Sequence, residues 1–175
     1  GCVIVKDNSV VGRGYHEKIG SPHAEIVALS DAGQHASGSE VYVTLEPCNH
    51  HGRTGPCTSA LVAAGVKRVI CAVKDPNPKV KGGGASVLRE QGIEVSVGPG
   101  AAMVGELNSG FLKRMSVGKP RVRVKVAMSL DGNSAMGGGE SKWITGAQAR
   151  GDVQKLRAES CAILTGVGTV IEDDP

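Results

Sequence analysis

Apolar and polar positions alternate with period two in short runs along the first hundred residues, and helical spacing fills the gaps between them. Residues 2–5 and 10–15 are β-branched runs around Lys6-Asp7-Asn8-Ser9, which predicts a hairpin. Ser21-Pro22 reads as an N-cap followed by proline at the first helical position, opening a helix over about 22–33. Residues 40–45 alternate as a strand, and 46–56 is a loop rich in Pro, Gly, Asn and His. A helix over about 57–64 stops at Gly65, and 67–73 is an apolar strand. A long loop through Gly82-Gly83-Gly84 leads to a helix ending at Gly92, a strand over 93–97 and helical spacing over 100–115.

The order β-β-α-β-α-β-α-β-α predicts a three-layer α/β sandwich with a partly parallel sheet. Ser116 to Pro120 reads as a linker, dividing the chain into 1–116 and 117–175. Beyond it, the pattern predicts a strand over 121–128, a helix over about 146–158 and a buried strand over 161–165. The chain starts without Met inside a strand pattern and stops just after an apolar run. Both ends therefore read as those of a fragment.

Composition narrows the class. Aromatics are 2% of the 175 residues, so a core must be built from Val, Ile, Leu and Ala. The net charge of +3 and the scarcity of aromatics argue against a nucleic-acid binder. No apolar run reaches the roughly 18 residues of a membrane span, and no signal peptide is visible. The expectation is a cytoplasmic protein with reduced thiols. Of the five cysteines, Cys2, Cys71 and Cys161 lie in strand-like runs and are assigned to the core.

His23, Cys48 and Cys57 remain. Each sits at the start of a helix or the end of a strand, beside Pro22, Pro47 or Pro56. One His and two Cys make three ligands, and catalytic zinc keeps a fourth position open where structural zinc fills it. Glu25, two residues after His23, is then a carboxylate free to move protons. A His-x-Glu followed by Pro-Cys is the pattern of zinc deaminases, in which the Glu is not a ligand. The spacing departs from that pattern. Eight residues separate Cys48 from Cys57, so the intervening loop must bulge around the metal or form part of the substrate pocket. A closed structural zinc site, with His50 or His51 as fourth ligand, is the alternative. A deaminase acting on another base, of cytosine or guanine type, is the second alternative.

His23-Ala24-Glu25 and the stretch from Thr44-Leu45-Glu46-Pro47-Cys48 through His51-Gly52-Arg53-Thr54-Gly55-Pro56-Cys57 resemble the deaminase domain of the bifunctional riboflavin-biosynthesis deaminase/reductase family. Lys74-Asp75-Pro76-Asn77-Pro78 and the following glycines extend the resemblance. Ser129-Leu130-Asp131-Gly132, Ser141-Lys142-Trp143-Ile144-Thr145 and the final Thr169 to Pro175 resemble the start of its pyrimidine reductase domain.

The resemblance implies a cytidine-deaminase-like sandwich followed by the truncated start of a dihydrofolate-reductase-like domain. It implies zinc on His23, Cys48 and Cys57 with Glu25 catalytic. It implies 2,5-diamino-6-ribosylamino-4(3H)-pyrimidinone 5′-phosphate as substrate and NADPH as cofactor of the complete reductase. His16, Asn49, His50, Arg53, Asp75 and Asn77 fall on loops expected to meet the pyrimidine and ribose, and Arg53 and Lys79 are candidates for the phosphate. By the same resemblance Met128, Trp143, Thr169 and Asp173 fall where the family contacts NADPH. Ser141 and Arg157 fall where it contacts the sugar phosphate. The resemblance leaves open a homo-oligomer through the complete reductase domain. No working reductase is expected of 55 residues after Pro120.

Overall fold

The structure, a computed structural model, describes residues 1–52, 54–77, 80 and 83–174, with the backbone alone at 173. The chain falls into two compact units, Gly1–Arg121 and Val122–Pro175.

The first unit is a five-stranded mixed sheet. Strand β1 (Cys2–Lys6) turns into β2 (Ser9–Gly14) through Asp7 and Asn8, both at positive φ, which matches the twist a two-residue hairpin needs. β3 (Glu40–Leu45), β4 (Arg68–Val73) and β5 (Glu94–Val97) complete it in the order β2-β1-β3-β4-β5. β1 is antiparallel to β2 and β3, whereas β3, β4 and β5 run parallel.

Parallel neighbours need crossover connections, and helices supply them. α1 (Ala24–Ala32), α2 (Cys57–Ala63) and α3 (Gly84–Glu90) lie together on one face, and α4 (Ala101–Leu107) packs on β4. A 3-10 turn over Gly33–Ala36 follows α1, and α5 (Ser109–Val117) follows α4 after a break at Asn108. The helical spacing over 100–115 is thus two helices rather than one.

The core lies between the sheet and α1–α3. Ile4, Val41, Val69, Leu61 and Leu88 are fully buried in it, with Cys2 and Cys71. On β4 the alternate residues Ile70 and Ala72 are also buried, as expected of a central parallel strand covered on both faces. On β3 the outward Tyr42 is exposed. The third layer is therefore thin.

Helix α1 opens one turn-position later than the proline suggests. Ser21 N–H is taken by a turn to Lys18 O, and the first helical bond runs from Val27 N–H to His23 O. His23 is the N-cap, at extended φ and ψ.

The second unit carries α6 (Ala147–Ala158), close to the predicted helix, and α7 (Val167–Asp173). The strands predicted over 121–128 and 161–165 do not form, and Cys161 is exposed rather than core. Their patterns are strand-like, but among the described residues of this unit no other strand offers a hydrogen-bond ladder. Val122, Val124 and Val126 accordingly stay exposed. Among the described residues, no helix is long and apolar enough to cross a membrane.

Candidate metal centre and its cavity

Three ends of elements meet at the C-terminal end of β3, the central strand of the sheet. The start of α1 brings His23, the chain leaving β3 brings Cys48, and the start of α2 brings Cys57. Their ligand atoms all lie within 4.8 Å of one another. His23 Nδ1 is 3.2 Å from Cys57 Sγ and 3.4 Å from Cys48 Sγ. A tetrahedral zinc ion with ordinary Zn–N and Zn–S bonds separates such atoms by about 3.5 Å. The donor set and its spacing therefore fit zinc.

Local packing explains the convergence. α1 presses on β2 because both surfaces are small. A Cβ on Gly14 would come within 2.2 Å of Ala24 O, and one on Gly12 within 2.4 Å of Ala28 O. The 46–56 loop is tied at its base. Thr58 N–H donates to Cys48 O at 3.2 Å, Thr58 Oγ1 donates to Asn49 Oδ1 at 2.8 Å, and Cys57 N–H points to Cys48 Sγ at 3.4 Å.

The two thiols are buried and hydrogen-bonded to each other. A hydrogen bond from the Cys57 thiol, opposed by burial and aided by the Cys57 N–H and His23, pulls the Cys48 thiol down to about 5. That same bond, with burial and the nearby Glu25, pushes Cys57 up. Glu25 is 6% exposed, and burial lifts its carboxyl above the usual range. The Cys48 charge adds to this, while its backbone hydrogen bond, His23 and Cys57 oppose it.

A cavity of about 230 Å³ opens onto His23 and Cys48, walled by His16, Ile19, Ser21, His50, Gly52 and Thr54. The long loop is thus pocket wall. His16 packs edge-on to His23, with centroids 5.4 Å apart, and its Nδ1 lies 3.2 Å from Pro22 O. His50 lines the cavity but is outside the three-residue ligand group, as is His51.

Asp75 is half-buried, and neither it nor Asn49 nor Asn77 is among the residues that line the cavity. Burial raises the Asp75 carboxyl, the Asn77 N–H opposes this, and Glu46, His50 and Cys48 all act on it. Asn49 turns its amide oxygen to Thr58. Arg53 and Lys79 lie outside the described residues.

The sequence assigned no role to Thr54, whose Oγ1 is 3.5 Å from His23 Nε2, or to Glu46, a buried carboxylate. Both stand inside the quoted motif, and that was the available signal.

In the second unit, Met128 and Trp143 are 55% and 71% exposed, and the Arg150 guanidinium sits 4.4 Å over the Trp143 ring. Ser141 and Thr169 are exposed, and Arg157 is half-buried on α6. The Asp173 side chain lies outside the described residues.

A mixed-sheet sandwich with His and Cys ligands at its helix starts defines the class as cytidine-deaminase-like, with a zinc centre. The cytidine and deoxycytidylate deaminase zinc-binding region matches residues 1–73, which contain all three ligands, and the RibD C-terminal domain matches 120–175. Over all 175 residues the chain is 57% identical to the riboflavin biosynthesis protein RibD of Escherichia coli, covering 48% of it. It is 50% identical to that of Aquifex aeolicus, covering 49%. The solved RibD of Acinetobacter baumannii superposes with a TM-score of 0.90 at 57% identity over 99% of this chain and 49% of that one. A diaminohydroxyphosphoribosylaminopyrimidine deaminase/5-amino-6-(5-phosphoribosylamino)uracil reductase from Thermotoga maritima gives 0.91 at 40% identity, over 99% and 50%. The chain belongs to the RibD family. It spans about half the length of the curated relatives it matches.

Proposed function

We propose that this chain carries the deaminase site of riboflavin biosynthesis. The reaction is hydrolysis of 2,5-diamino-6-ribosylamino-4(3H)-pyrimidinone 5′-phosphate to 5-amino-6-(5-phosphoribosylamino)uracil and ammonia. The observation that carries the reading is a buried carboxyl, Glu25, set against a three-ligand His/Cys/Cys group that opens onto a cavity.

Zinc bound by His23, Cys48 and Cys57 supplies the charge that makes water acidic near neutral pH. Glu25 takes one proton from the attacking water and gives it to the ring nitrogen, then takes the second from the hydroxyl that becomes the carbonyl and passes it to the leaving amine. One C–O bond forms, one C–N bond breaks, and ammonia leaves. Burial suits Glu25 to both roles, because a raised carboxyl pKa lies nearer the working pH. His16 and His50 face the substrate from the cavity walls, with Asn49, Asp75, Asn77 and Arg53 as further contacts.

Residues 1–116 form the deaminase domain of this proposal and 117–175 the first part of a reductase. In the complete protein, that reductase uses NADPH to open the ribosyl group to ribityl. Met128, Trp143, Thr169 and Asp173 are its nucleotide contacts there, and Ser141 and Arg157 its phosphate contacts. The protein works in the cytoplasm on a small molecule and not on nucleic acid.

The test is Glu25→Gln in zinc-loaded protein, with metal content and ammonia release measured side by side. The variant keeps its zinc and loses ammonia release. Turnover at the unmodified rate would overturn the role of Glu25.

A further inference from the structure

Glu46 immediately precedes Pro47-Cys48 and has no part in the chemistry above, yet its carboxylate is buried, at 6% exposure. Both of its oxygens are taken by backbone donors from different segments. Oε1 accepts the Ala85 N–H at 2.9 Å, in the first turn of α3, and Oε2 accepts the Asp75 N–H at 3.2 Å, in the loop leaving β4. Its own N–H donates to Val73 O at 2.9 Å, which seats it over the end of β4. From Asp75 the chain of contacts continues, since Asp75 Oδ1 accepts the Asn77 N–H at 2.8 Å.

The backbone is shaped to allow this. A Cβ on Gly84 would lie 1.8 Å from Pro47 O, and one on Gly83, which has φ of +52°, would lie 3.1 Å from Glu46 Oε1. Two glycines thus let the start of α3 close on Glu46-Pro47. A buried carboxylate is costly unless hydrogen-bonded, and a merely space-filling residue here would leave two N–H groups unpaired.

We propose that Glu46 is a positioning residue. It ties the 74–77 segment to the loop that carries Cys48, so that Asp75 and Asn77 face the substrate. This rests on the assignment of Asp75 and Asn77 to the substrate pocket. Two donors need two acceptor oxygens. Glutamine has the same shape but one acceptor, so it turns an N–H₂ towards one of the two backbone N–H groups. Aspartate keeps both oxygens but is a methylene too short to span them.

The experiment is Glu46→Gln and Glu46→Asp in the zinc-loaded protein, reading zinc content, KM and kcat for ammonia release. Both variants keep about one zinc per chain and raise KM about tenfold, the equivalent of one hydrogen bond to a charged group, with kcat little changed. An unchanged KM overturns the proposal. So does loss of zinc or of folding in both variants, which would make Glu46 structural.

Amide exchange on isotope-labelled Glu46→Gln, without substrate, separates this from the deaminase reading. The amides of Asp75, Asn77 and Ala85 exchange faster, while those of Val27, in α1, and Ala64, which caps the end of α2, do not change. Unaltered exchange at Asp75 and Ala85 overturns the tie whatever the activity. Faster exchange in a protein that never releases ammonia would keep the tie and reject the substrate assignment.

Discussion

Gly14 and Ala24 stand so close that a Cβ on Gly14 would meet the Ala24 carbonyl oxygen at 2.2 Å. Strand β2 is therefore a backbone surface against which α1 is seated, and α1 carries both Glu25 and the His23 cap. Gly14→Ala forces the helix away from the strand. The expected cost is about 1–3 kcal/mol of stability, as in other overpacked sites, with weaker zinc binding because His23 moves with the helix. Thermal unfolding and zinc titration read the two effects. Stability and affinity equal to those of the unmodified chain would show that the contact relaxes freely.

Cys57→Ser removes one of three ligands and opens a buried sulfur site to a poorer donor. About one zinc per chain in the unmodified protein falls to a small fraction in the variant, measured as metal content after purification under reducing conditions. Equal zinc in both would mean that the ion sits elsewhere.

Zinc uptake is also linked to protons. Without metal, Cys48 titrates at about 5, below its ordinary 9.0, so at pH 7 it is already a thiolate. Cys57 is raised and keeps its proton. Zinc displaces that proton, so at pH 7 the two thiols together release close to one proton per zinc rather than two, beside the fraction lost by water on the ion. Below about pH 5 Cys48 is protonated as well, two protons compete, and apparent affinity falls more steeply. Calorimetry in buffers of different ionisation enthalpy counts the protons. Release of more than two at pH 7 would contradict the shared-proton state of the pair.

With His23 Nδ1 turned to the sulfurs, Nε2 faces Thr54 Oγ1 at 3.5 Å. Partners of a ligand's second nitrogen fix the ring, and their loss weakens metal binding by about 10–100-fold. Thr54→Val is expected at the lower end, because the contact is long. A zinc competition titration measures it, and an unchanged affinity would leave the ring held by packing with His16 alone.

Stability rests on the core more than on surface charge. Leu61 is fully buried between α2 and the sheet, and Leu61→Ala is expected to cost about 2–5 kcal/mol. Arg68 pairs with Glu94 at 3.2 Å and Glu40 at 4.0 Å, but all three side chains are at least one-third exposed. Arg68→Ala is expected to cost less than about 1 kcal/mol. Denaturant unfolding of both variants checks the order, and a larger loss at Arg68 would reverse it.

Much of the first unit was legible in the sequence. The Asp7-Asn8 turn, the alternation of β3, the continuous apolar run of β4 and the glycines closing the helices are local signals, each acting within a few residues. The ligand types were legible too, because only a His, two Cys and a nearby Glu carry this chemistry at such positions.

The sequence misjudged the second unit. A period-two pattern such as Val122, Val124 and Val126 states a preference, but a strand exists only when a neighbour completes its ladder, and residues 121–128 and 161–165 have none among the described residues there. Cys161 followed its segment to the surface for the same reason.

By itself, then, the sequence determined which residues could bind metal and which segments would be helix or strand in the first unit. Tertiary structure alone decided that Glu25 is buried beside Cys57, that Nδ1 of His23 faces the sulfurs, and that Glu46 accepts backbone N–H groups 29 and 39 residues further along the chain, at Asp75 and Ala85. Burial, side-chain direction and non-local hydrogen bonds arise from contacts between segments far apart in sequence, and no local pattern encodes which segments will meet.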